Sequence, residues 1–175
     1  MGFSNGTPTI VTDGLVFAVD AGNGQSYVSG SLNAFDLVSS NTGSLINQAQ
    51  YSPVGNGSWA FDGSDDYIPF VSTISLDTIY TISLWVLYGV SGNRVVFGGN
   101  AQYALFISGT TLYHRNSGGI DSKTLSSIGD GNWHHICLSR DGGTMTWYAD
   151  GASLGTSSTS GTLTLGTVGA YDGGS

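Results

Sequence analysis

The chain has 175 residues, and 39% of them are hydrophobic and 11% aromatic, enough for the core of one domain. A chain of this length buries roughly 70% of the surface its unfolded form exposes, so it folds without staples. Its net charge is −8 with only four basic residues, Arg94, Arg115, Lys123 and Arg140, which excludes the basic stripe that nucleic-acid binding requires.

All twelve acidic residues are aspartates, and glutamate is absent. Glutamate and lysine are strong helix formers, and 28 glycines further disfavour helix. Asn-Gly recurs at Asn5, Asn23 and Asn56, and Asp-Gly at Asp13, Asp62, Asp130, Asp141, Asp150 and Asp172. These dipeptides tolerate the positive φ of tight hairpins, so the spacing predicts an all-β chain of many short strands. Cys137 is single, which excludes an internal disulfide. The opening Met1-Gly2-Phe3-Ser4 has neither a basic nor an apolar region of a signal peptide, and no apolar run suits a membrane span.

In chain order, residues rich in Val, Ile, Thr, Tyr, Phe and Trp predict ten strands. They fall at Gly14–Asp20, Ser58–Phe61, Asp66–Val71, Tyr80–Tyr88, Arg94–Gly98, Tyr103–Ser108, Thr111–Arg115, Trp133–Arg140, Thr144–Asp150 and Thr162–Val168. In Tyr80–Tyr88, Ile82, Leu84 and Val86 face one way, and Thr81, Ser83, Trp85 and Leu87 the other. Apolar residues on both faces predict a central strand in a two-sheet stack. Gln25–Gln50 is polar and irregular, and is expected to be a long loop carrying Phe35 and Leu37 onto the sandwich.

Four segments carry a family resemblance. They are Gly14-Leu15-Val16-Phe17-Ala18-Val19-Asp20-Ala21, Trp59-Ala60-Phe61-Asp62-Gly63-Ser64-Asp65-Asp66-Tyr67-Ile68, and Tyr80-Thr81-Ile82-Ser83-Leu84-Trp85-Val86. The last is Asn132-Trp133-His134-His135-Ile136-Cys137-Leu138-Ser139-Arg140-Asp141, followed by Trp147-Tyr148-Ala149-Asp150-Gly151. In this order they resemble the laminin G-like jelly-roll family of the concanavalin A-like lectin/glucanase superfamily. The resemblance implies an antiparallel two-sheet jelly-roll sandwich over residues 14–175, preceded by an N-terminal arm over 1–13. It also implies a further closing strand after Tyr171, which this sequence lacks. Either the sequence is partial or another chain supplies that edge, with the uncharged arm Met1–Val11 as a candidate donor.

Glucanases of this superfamily resemble a Glu-x-Asp-x-Glu strand. With no glutamate and no Asp-x-Asp strand here, the expectation is a chain that is not an enzyme. Asp62, Asp65 and Asp66 form an acidic turn and are the candidate calcium ligands, although three carboxylates fall short of the usual six to eight oxygens and Asp-Gly turns arise for backbone reasons alone. No other cofactor is expected. His134 and His135 project to opposite faces of a strand and cannot chelate one ion together, so both are read as structural. Structural roles are also expected for Trp85 and Trp133, placed in the core, and for the hairpin turn Asp150-Gly151. His114 is expected to be isolated and exposed, and Cys137 to pack as a small hydrophobe. Gly98-Gly99 and Gly118-Gly119 lack the lysine and helix of a phosphate loop. Asn5-Gly6-Thr7 and Asn56-Gly57-Ser58 are formal glycosylation sites. Tyr103, Tyr113, Tyr148 and Trp147 are candidates to stack on sugar rings, against the simpler reading that they are core.

Met1-Gly2-Phe3-Ser4 followed by Thr12-Asp13-Gly14-Leu15-Val16 is similar to structural proteins of marine tailed bacteriophages that carry this domain. That resemblance implies a non-catalytic virion protein, decorating the head or forming part of a tail fibre. It would be made in the host cytoplasm without a signal peptide and displayed on the virion surface. The implied partners are other virion proteins, copies of itself and a cell-surface glycan, with no nucleic acid and no membrane. The alternative is a carbohydrate-binding or adhesion module of a bacterial surface protein.

Overall fold

The computed structural model describes residues 13–89, 93–99 and 102–169, and the fold is an all-β sandwich of two antiparallel sheets. Three short strands open it, β1 (Asn33–Phe35), β2 (Thr42–Ser44) and β3 (Gln50–Ser52), followed by β4 (Ser58–Ala60), β5 (Ile68–Leu76), β6 (Ile79–Leu87) and β7 (Asn93–Gly99). The second half holds β8 (Gln102–Ser108), β9 (Thr111–Asn116), β10 (Gly119–Thr124), β11 (Trp133–Asp141), β12 (Thr144–Ala149), β13 (Ala152–Ser158) and β14 (Leu163–Val168). One sheet runs β1-β2-β5-β14-β7-β8-β9-β10, the other β13-β12-β11-β6, and β3 pairs with β4 alone.

Period-2 alternation builds the main core. Tyr80 and Ile82 of β6, Ile136 and Leu138 of β11, and Met145 and Trp147 of β12 point inward from the smaller sheet. They meet Leu105 and Ile107 of β8, Leu112 of β9, and Leu163 and Leu165 of β14. A second cluster joins Tyr27, Ala34, Leu45, Ala49, Ile68 and Phe70, with Phe17 edge-on to Phe70 at 5.0 Å. The Asp-Gly signals act as expected where strands turn back. Asp150 (φ 50°) and Gly151 (φ 80°) both take positive φ between the paired residues Ala149 and Ala152. That is the turn whose twist matches two antiparallel strands.

Several expectations are corrected. Gly14–Asp20 forms no ladder; its backbone is tied instead by Ala18 N–H donating to Asp36 Oδ1 and Leu37 N–H donating to the Ala18 carbonyl. Gln25–Gln50 is not one loop, since β1 and β2 lie within it. The strands β10 and β13 are polar and fall outside the ten predicted ones, because exposed strands carry little apolar signal. β6 is not central: it ends the smaller sheet, and its outward face is open rather than packed. β14 lies between β5 and β7, so the last described strand is interior and not an open edge. The arm Met1–Val11, with Asn5-Gly6-Thr7, and the segment after Tyr171 lie outside the described residues.

Candidate functional site

His134 and His135 sit mid-sheet on β11 and do point to opposite faces. The inward-side His134 is buried, and its Nδ1 lies 2.7 Å from Asp150 Oδ2 while its Nε2 lies 3.1 Å from Asp130 Oδ1. Hydrogen bonding to Asp150, and then to Asp130, raises the His134 pKa above its ordinary value. The His134 bond likewise lowers that of Asp150, and the Asn132 backbone N–H is the first cause lowering that of Asp130. Asp150 Oδ1 also accepts from the His135 N–H at 2.9 Å. The arrangement is a clamp between β11 and the β12–β13 turn.

The outward side differs. Trp85 is 65% exposed, which corrects the core position expected for it: alternation on β6 sends it out to solvent with Thr81, Ser83 and Leu87, while the Gly55 turn lies against Trp133 further along the face. His135 stands directly across the ladder from Trp85, with ring centroids 5.2 Å apart and planes at 50°. Its Nε2 lies 2.9 Å from Ser83 Oγ. Trp133 pairs with Leu87, and Tyr148 with Cys137, on the same half-buried face. Indole, imidazole and hydroxyl groups thus stand side by side on an open sheet. All four basic side chains lie elsewhere: Arg94 on β7, Arg115 on β9, Lys123 on β10, and Arg140 pointing inward. Partial burial raises the pKa of the Cys137 thiol, which disfavours the thiolate.

In the acidic turn, one ligand atom each from Asp62, Asp65 and Asp66 lie within 4.8 Å of one another. Their hydrogen bonds give the reason for the turn. Buried Asp66 accepts from the Gln48 N–H at 2.7 Å and the Asp62 N–H at 2.8 Å, and Asp62 Oδ1 accepts from the Ser64 N–H at 2.7 Å. A Cβ on Gly63, which has φ 77°, would run into the Arg94 guanidinium, so a cation already stands against the turn. Three carboxylates are fewer than the six to eight oxygens calcium takes, and two backbone N–H groups already bond to Asp66.

His114 is corrected from exposed to fully buried. It projects inward from β9, where its Nε2 lies 2.9 Å from the Tyr80 hydroxyl and its ring is edge-on to Trp147 at 6.4 Å. Burial lowers its pKa to about 4, so the ring is neutral. A polar residue in an apolar surround gave no sequence signal for this. Of the sugar-stacking candidates, Trp147 is core, its Nε1 donating to Ser157 Oγ at 3.0 Å. Tyr113 stacks on Phe106 at 4.7 Å on the other sheet, Tyr148 lies on the Trp85 face, and the Tyr103 side chain is outside the described residues.

The fold is a β-sandwich whose smaller sheet turns an aromatic face outward, with Asp141 beside Ile79 at its far end and no Lys or Arg among its side chains. The family comparison agrees: residues 62–174 match the model of the concanavalin A-like lectin/glucanases superfamily, and the chain belongs to it. No protein of curated function is significantly similar to the chain. Among solved structures it is similar to domains LG4-5 of the mouse laminin α1 chain, at 20% identity and a TM-score of 0.44, covering 78% of this chain and 38% of that one. It is also similar to the carbohydrate binding module CBM66 from Bacillus subtilis, at 12% identity and a TM-score of 0.42, covering 71% of this chain and 85% of that one. The Bacillus licheniformis β-glucanase shares 12% identity at a TM-score of 0.38, covering 87% of this chain and 78% of that one.

Proposed function

We propose that this protein is a non-catalytic carbohydrate-binding module carried on the surface of a tailed bacteriophage particle. The observation that carries the binding reading is Trp85, 65% exposed and backed by His135 and Ser83 on an otherwise unbroken sheet face. An exposed indole is a large apolar surface left in water, which marks an interaction site. It fits the C–H face of a sugar ring, while Ser83 and His135 offer hydrogen bonds to hydroxyls. With no basic residue on that face, the ligand is a neutral glycan.

Two features support a non-catalytic role. A glycosidase needs one carboxyl with a raised pKa to protonate the leaving group. Here glutamate is absent, and the two aspartates that flank His134 are both shifted downward. The virion assignment rests on the similarity of the opening segment to phage structural proteins.

Purified protein screened on an array of neutral oligosaccharides should bind, and Trp85→Ala should lose that binding while keeping its fold. Failure of every neutral sugar, or undiminished binding by the variant, overturns the assigned face. Hydrolysis of laminarin by the purified chain overturns the non-catalytic reading. Mass spectrometry of purified particles should find the chain in the virion; its presence only on a bacterial surface overturns the carrier.

A further inference from the structure

We infer that two copies of this protein pair through the outer edge of β6, antiparallel about Ser83, to join their smaller sheets into one. Sheet edges expose a row of N–H and C=O groups, and proteins blunt them with short strands, charges, bulges or covers. Among the described residues, three edges are blunted in these ways. β1 is three residues long. β10 carries Asp121 and Lys123. β13 has a register shift against β12, and Lys123 Nζ covers it by donating to the Thr156 carbonyl at 2.8 Å. Among the described residues β6 has none of these devices. It is nine residues long, pairs β11 in unbroken register, and contains no charge and no proline.

The strand is also complementary to itself. Ile79 and Leu87 stand at equal distances in sequence from Ser83 and on the same outward face. They are 76% and 43% exposed. An antiparallel copy centred on Ser83 sets Leu87 against the second copy's Ile79, so each covers the other. The same symmetry sets Trp85 against Thr81. Charge selects this orientation. Asp77 precedes Ile79 and Asp141 pairs with it, whereas Leu87, Tyr88 and Gly89 are uncharged and the acid nearest that end, Asp130, is paired with His134. Antiparallel pairing brings each acidic end beside a neutral one, and parallel pairing would bring acid against acid. The contact does not depend on glycan binding, though it would place two Trp85 faces on one continuous sheet.

Sedimentation of the full chain tests this. The expected mass is twice 18.1 kDa. The dimer should strengthen with added salt, because the copies repel through their net charge while the contact itself is neutral. Ser83→Lys and Ser83→Asp, each placing like charges opposite one another, should sediment as single chains with a cooperative melt, and a one-to-one mixture of the two should restore the dimer. Leu87→Asp, away from the centre, should also give single chains and carries the test if the Ser83 variants fold poorly. A wild-type chain that stays single at every concentration, or folded variants that stay dimeric, overturns the proposal.

Discussion

His134 Nδ1 lies 2.7 Å from Asp150 Oδ2, and this bond fastens β11 to the turn that joins β12 to β13. Its strength depends on pH in two directions. The folded pKa of His134 is raised, so its contribution is fully present below the ordinary 6.5 and is lost as pH climbs through the raised value. The folded pKa of Asp150 is lowered, so its contribution is present above the ordinary 3.8 and is lost as pH falls through the lowered value. Melting temperature measured across pH should fall on the alkaline side of this window, and His134→Gln should flatten that fall. Parallel profiles for the two proteins would contradict the clamp.

The buried pair Tyr80–His114 responds in the opposite sense to His134. The folded pKa of His114 is about 4, against 6.5 when unfolded, so between these values the unfolded chain binds a proton that the folded chain refuses. Stability therefore drops from this group as pH falls from 6.5 toward 4. His114→Leu should remove that loss, seen as a smaller change in urea midpoint between pH 7 and pH 5 than in the wild type. Tyr80→Phe leaves His114 Nε2 buried without its partner and should cost ~1–3 kcal/mol at neutral pH.

Two tryptophans separate folding from binding. Trp147 is fully buried between the sheets, and Trp147→Ala should destabilise by ~3–5 kcal/mol. Trp85 faces solvent, and Trp85→Ala should stay within ~0.5 kcal/mol of wild type in chemical denaturation. A large loss of stability in Trp85→Ala would return that residue to a structural role.

Arg140 is a buried cation held by carbonyls rather than by a carboxylate. Its Nε donates to the Gly142 carbonyl at 2.9 Å, and one terminal nitrogen donates to Gly161 at 2.7 Å and to Asp77 at 3.4 Å. Its guanidinium carbon lies 5.7 Å from the centre of the Tyr80 ring. Arg140→Met strips these carbonyls of their donor and should cost about 3 kcal/mol. Arg140→Lys should recover only part of this, because an ammonium cannot span the fork. Equal midpoints for the Lys variant and wild type would show that charge alone suffices.

What the sequence determined by itself follows from short-range rules. The absence of glutamate, the Asp-Gly punctuation and the β-branched and aromatic runs dictated an all-β chain, and alternation on β6 and β11 assigned Ser83, Trp85 and His135 their side of the strand. The motif around Trp133-His134-His135 led to the family that residues 62–174 match. What only the tertiary structure decided is which side of each strand meets another layer. Trp85 and Trp147 are the same residue type on two strands of one sheet, and one is open while the other is sealed, because the larger sheet covers only the inward face of the smaller one. His114 and Arg140 look like surface residues in sequence, yet Tyr80 and the Gly142 and Gly161 carbonyls give each a partner inside. Strand order lies in the same category: hydrogen bonding joins β14 to β5, as in Val168 with Ile68, and to β7, as in Val168 with Phe97, across separations that no local pattern encodes.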